Sequence, residues 1–181
     1  FMRLEISDIL NIVGFVFFCV IGVCLQTTLF SLFVTKYLIP DLLGCILIYL
    51  AIKRDLREGV LFTVFISYLI SLNSSFSFFD CLLLNTLSFL IARYIGLYIF
   101  TGTTRSVMFA TLVSLVPSKL ILAVLLGWPG FYYIFMILFP FITTILLTSI
   151  VAPYLFKYMV SFDRFTGRIE PAHIIERTRW S

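Results

Sequence analysis

The chain alternates long apolar runs with short polar bridges. A helix needs roughly 20 apolar residues to cross a bilayer's hydrocarbon core, and the first run, Ile9 to about Val34, is long enough. No small-residue cleavage site follows it, so it is expected to remain as a membrane anchor. Lys36, Pro40 and Asp41 interrupt the pattern. Pro40 suits the opening turn of a helix, where its missing N–H would have no partner anyway, so a second helix is predicted from Asp41.

That second run, about Leu42 to Ile52, and the third, Val60 to Leu72, are both shorter than a full span. Between them Lys53-Arg54-Asp55-Leu56-Arg57-Glu58-Gly59 forms a charged bridge expected to stand in water. Both runs are therefore predicted to tilt, to extend through interfacial residues or to re-enter against protein. Asn73-Ser74-Ser75 predicts a turn, Phe78 to Phe100 a fourth span, and about Val107 to Leu126 a fifth. After Gly127-Trp128-Pro129-Gly130 a sixth runs from Phe131 to Phe156, with Pro140 and Pro153 as expected kinks. The reading is an all-α membrane protein of about six transmembrane helices, with residues 1–156 as the membrane domain and 157–181 as a polar tail. That tail either lies on the inner leaflet, docks a cytoplasmic protein or stays partly unfolded. No internal repeat is evident, which removes the usual signature of inverted-repeat transporters.

Composition supports the same class. Hydrophobic residues make up 61% and charged residues 12%, where soluble domains carry about 25% charged. The formal charge of +4 reflects orientation in a bilayer and does not point to nucleic acid. With six crossings and the amino end inside, Arg3, Lys53, Arg54, Arg57, Arg105, Lys157, Arg164, Arg168, Arg177 and Arg179 are cytoplasmic, ten of the 13 Lys and Arg residues. Only Lys36 falls in an outer loop. Basic residues concentrate in cytoplasmic loops, so both termini are expected in the cytoplasm. Cys19, Cys24, Cys45 and Cys81 lie in or beside apolar runs without a Cys-x-x-Cys spacing, as packing residues do.

Polar side chains placed in lipid cost about 2.5–3.5 kcal/mol each when charged at a helix centre, so they tend to have a partner or a task. Here they are Gln26, Asp41, Asp80, Asn85, Arg93 and Lys119. Lys119 is expected either to pair with Asp80 or Asp41 and lock helices together, or to extend to the outer headgroups. Arg93 either reaches the cytoplasmic phosphates or has an internal partner.

Enzyme chemistry is tested by elimination. The single histidine, His173, is in the tail, which excludes a buried Ser and His dyad or a His-based zinc site in the membrane. Asp41 and Asp80 lack the glycine-rich surroundings of an intramembrane aspartic protease, Lys119 has no further signature of a Ser and Lys dyad, and no phosphate-cradling glycine loop occurs. No enzyme activity and no cofactor are expected.

Leu25-Gln26-Thr27-Thr28-Leu29, then Ile39-Pro40-Asp41-Leu42-Leu43, Tyr49-Leu50-Ala51 and Arg57-Glu58-Gly59 together resemble the MreD family of bacterial rod shape-determining proteins. The resemblance covers about residues 9 to 100 best. Where the family has an aspartate and a glycine after the third span, this chain has Ser71 and Ser75. The resemblance implies a fold similar to that of the substrate-binding subunits of energy-coupling-factor transporters. It also implies a non-enzymatic subunit of the inner membrane that scaffolds MreC and peptidoglycan synthases, with MreB on the cytoplasmic side. Lys53, Arg54, Arg57 and Glu58 are then candidate contacts for cytoplasmic partners. The competing class is a substrate-binding subunit of a vitamin or small-molecule transporter, with Gln26, Asp41, Asn73, Asp80, Asn85 and Lys119 lining an outward cavity. Clustering of these residues in one cavity would favour transport; scattering toward lipid would favour scaffolding.

Overall fold

The computed structural model describes residues 6–29, 39–98, 103–127 and 131–166. Lys36, the turns at Gly102 and Trp128, and the tail beyond 166 lie outside the described residues. The helices are α1 (Ile6–Cys24, continued by a π-type segment Leu25–Leu29), α2 (Leu42–Lys53), α3 (Leu56–Asn73), α4 (Phe78–Tyr98), α5 (Thr104–Gly127) and α6 (Phe131–Phe165). Five of them, all but α2, are long and apolar enough to cross a membrane. The chain is an all-α membrane protein.

Helix α2 is the axis of the bundle. Its 12 residues span about 18 Å at 1.5 Å per residue, short of the roughly 30 Å hydrocarbon core. Each residue from Leu42 to Ile52 is buried, and α2 touches all five other helices. The exposed large apolar side chains lie on the other five helices and in none of α2. Being apolar all round is what a helix enclosed by protein requires, and enclosure removes the need to reach water at either end. Of the two runs expected to be short, only this one is. The third recruits Leu56–Gly59 from the charged bridge into an 18-residue helix, leaving Arg54 and Asp55 as the α2–α3 connection.

Close approach on this axis needs small residues. A side chain at Gly59 of α3 would meet the Phe89 ring at 2.5 Å, and one at Gly96 of α4 would meet the Ile52 backbone at 3.2 Å. Between helices in lipid, such small positions admit the packing that holds the bundle. Buried hydroxyls mostly bond within their own helices, as Thr63 to the Gly59 carbonyl (2.7 Å) and Thr111 to the Val107 carbonyl (2.8 Å), because no water is at hand to satisfy them.

Successive helices alternate in direction. Gln26 near the end of α1 meets Pro40 before α2, whereas Asn11 at the start of α1 meets Arg54 after α2 and Asp163 near the end of α6. The described ends of α1 and α6 therefore share one end of the bundle. The last helix runs to Phe165 through Pro140 and Pro153, so residues 157–165, expected in the polar tail, belong to it. Phe156, Met159 and Phe162 continue its inward stripe past Lys157 and join the core.

Candidate functional site

Polar groups gather at both ends of α2. At its beginning Asp41 is the N-cap: Oδ1 accepts from the Gly44 amide at 2.9 Å, satisfying a donor that the first turn leaves open. Its backbone N–H donates to Thr148 Oγ1 of α6 at 2.8 Å. Lys119 Nζ of α5 lies 2.8 Å from Asp41 Oδ2. Gln26 Nε2 donates to the Pro40 carbonyl at 3.0 Å. Of the two carboxylates considered for Lys119, Asp41 is the partner; Asp80 is exposed in the first turn of α4.

Gln26, Asp41 and Lys119 line a part-open cavity of about 340 Å³, walled chiefly by α2, α4, α5 and α6, with Ile70 of α3. Gln26, Asp41, Asn85, Ser88, Ser118 and Lys119 supply polar atoms; Leu47, Ile70, Leu84, Leu115, Leu122 and Phe141 supply most of the apolar wall. Asn85 donates to Ser67 Oγ at 3.0 Å. Ser88 donates to Ser118 Oγ at 2.8 Å, and Ser118 to the Leu115 carbonyl at 3.0 Å. Asn73 and Asp80 are not part of it: Asn73 is exposed and bonds back to the Leu69 carbonyl at 2.9 Å.

At the other end of α2, Arg54 is buried, against the expectation that residues 53–58 stand in water. Its Nη2 pairs with Asp163 Oδ1 and with Asn11 Oδ1, and its guanidinium lies 4.7 Å over the Phe15 ring. Tyr49 donates its hydroxyl to Asp163 Oδ2, and Asn11 Nδ2 donates to Asp163 Oδ1 at 2.9 Å and Thr166 Oγ1 at 2.6 Å. A buried charge against the Phe15 ring is tolerated only with an opposite charge and hydrogen bonds. Arg54 is thus withdrawn from the surface proposed for cytoplasmic partners. Arg57 is exposed, Lys53 and Glu58 are part-exposed, and Glu58 lies 3.7 Å from Arg54 Nη1.

Arg93 turns inward. Its Nη1 donates to the Ala51 carbonyl at 3.0 Å and to the Arg54 carbonyl, so a cation satisfies the carbonyls left open at the C-terminus of α2. At the two divergent positions, Ser71 donates to the Tyr68 carbonyl at 2.8 Å and Ser75 is exposed in the α3–α4 turn.

Sequence reasoning missed Asn11, Tyr49 and Asp163. Asn11 stands alone in an apolar span, four residues before Phe15 on the buried stripe, which is a usable signal. Asp163 lies past Lys157, where the apolar run ends although the helix continues to Phe165. Among the described residues no group of three or more His, Cys, Asp or Glu converges as a metal site would. Comparison with protein-family models, curated proteins and solved structures finds no match to this chain.

Proposed function

We infer that this protein is a non-enzymatic, multi-pass subunit of the bacterial inner membrane that scaffolds the wall-elongation machinery, as its resemblance to the MreD family implies. One observation carries the reading. Among the residues that bear the resemblance are several on which the bundle is built: Gln26 bonds Pro40, Asp41 caps α2, Tyr49 bonds Asp163, and Gly59 admits Phe89. A scaffold needs a rigid axis and lipid-facing outer helices able to meet partner spans, and this arrangement supplies both.

Orientation follows from charge. Lys53, Arg54, Arg57, Arg105, Lys157 and Arg164 all lie toward the end of the bundle shared by Asn11 and Asp163. Basic residues mark the cytoplasmic side, so that end faces the cytoplasm and both termini with it. Arg57, Glu58 and Lys53 remain the side chains there for an inner partner such as MreB.

A second reading, the substrate-binding subunit of a small-molecule transporter, is favoured by the convergence of Gln26, Asp41, Asn85 and Lys119 on one cavity. Purification of the tagged protein from its native membrane in mild detergent, with mass spectrometry of co-purifying proteins and small molecules, separates the two. Recovery of MreC or peptidoglycan synthases supports the scaffold. Recovery of an ATPase module with a bound vitamin and no wall proteins overturns it.

A further inference from the structure

We propose that the cavity beside Asp41 and Lys119 binds an uncharged amphiphile with an oxygen-rich, hydrogen-bond-accepting head and a short apolar body. The proposal deepens the ligand-binding reading of this site and rests on it. A volume of about 340 Å³ falls at the small end of the range of pockets that enclose small molecules, about 300–1,000 Å³. Its wall is mostly apolar, with polar atoms gathered at the Asp41 end and along Asn85, Ser88 and Ser118.

The charge of the ligand follows from the ion pair. Asp41 and Lys119 already neutralise each other at 2.8 Å, so the cavity carries no net charge from them. An entering anion or cation would find no unpaired countercharge among the lining residues to offset the loss of its own hydration.

The polarity of the head follows from which bonds are committed. Each oxygen of Asp41 already accepts one bond, Oδ1 from Gly44 and Oδ2 from Lys119. An ammonium carries three N–H donors, and one points at Asp41, so Lys119 retains donors to offer. Those donors suit ester, ether or hydroxyl oxygens on the head of the ligand.

The test uses the full chain in phosphatidylcholine nanodiscs with tritiated monooctanoylglycerol as probe, empty nanodiscs giving the partition background. Octanoate and octylamine, which share its chain length but are charged, serve as competitors. Saturable binding of the glyceride is expected, with both charged competitors weaker by roughly tenfold or more, because burying a charge without its own partner is costly. Leu84→Trp, which fills the cavity away from the ion pair, abolishes binding while the melting temperature is kept; Asn85→Leu is the companion variant should Trp not be accommodated. Lys119→Met leaves Asp41 alone and turns the preference to octylamine, whereas Asp41→Asn turns it to octanoate. Absence of saturable binding, or binding untouched by both Leu84→Trp and Asn85→Leu, overturns the proposal. Saturable binding in the cavity with no head-group preference overturns the assigned ligand class and leaves the ligand-binding reading standing.

Discussion

Lys119 of α5 holds the N-cap carboxylate of the central helix, Nζ 2.8 Å from Asp41 Oδ2. One carboxylate thus serves two structures, closing the first turn of α2 through Gly44 and tying α2 to α5. Arg54 and Asp163 repeat the arrangement at the opposite end, tying α2 to α6. A helix too short to reach water at both faces has its terminal charges neutralised by neighbouring helices.

Removing Lys119 alone strands the Asp41 carboxylate. Lys119→Met is expected to destabilise the protein by about 3 kcal/mol, the low end for breaking a buried pair, since the two side chains retain 23% and 17% exposure. Asp41→Asn keeps a capping side chain and costs less. In a double-mutant cycle the pair recovers part of the loss, read from thermal unfolding in detergent. Additive single and double effects would refute the locking role.

The buried Arg54 and the exposed Arg57 make an internal control. Arg54→Met leaves Asp163 without its cation and is expected to cost about 3–5 kcal/mol, whereas Arg57→Met stays within about 0.5 kcal/mol, as surface changes do. Hydrogen exchange should rise across residues 157–166 in the Arg54 variant alone, because Asp163 is the attachment of that end of α6.

Gly59 faces the Phe89 ring with no room for a methyl group. Gly59→Leu is expected to destabilise by about 1–3 kcal/mol through overpacking, while the same substitution at exposed Ser75 is close to neutral. Thermal unfolding of the two variants checks the α3–α4 contact.

The four cysteines report burial directly. Cys24 is exposed on α1, whereas Cys19, Cys45 and Cys81 are buried, and Cys45 donates to the Thr148 carbonyl at 3.7 Å. In detergent, N-ethylmaleimide should modify Cys24 in the folded protein and all four after denaturation, counted by intact mass. Rapid labelling of Cys45 in the folded state would contradict the central placement of α2.

Much of this architecture is legible without coordinates. Apolar run lengths predict the spans, because a bilayer demands a minimum length and internally satisfied backbone bonds. Pro40 and Asp41 mark the start of α2, since a proline and a capping carboxylate act locally. The oddity of Lys119 in an apolar helix is likewise visible, and it narrows the partner to two aspartates.

The class of solvent this protein lives in and the rhythm of its helices are written in the sequence, because both follow from side-chain polarity taken a few residues at a time. It takes the packed bundle to show that Leu42–Ile52 is enclosed by protein, that Asp41 and not Asp80 meets Lys119, and that Arg54 turns away from water onto Asp163. Those outcomes depend on distances between residues far apart in the chain, and hydropathy carries no information about which helix lies beside which. A charged residue at the end of an apolar run reads the same whether water or a buried countercharge awaits it. Packing made that choice.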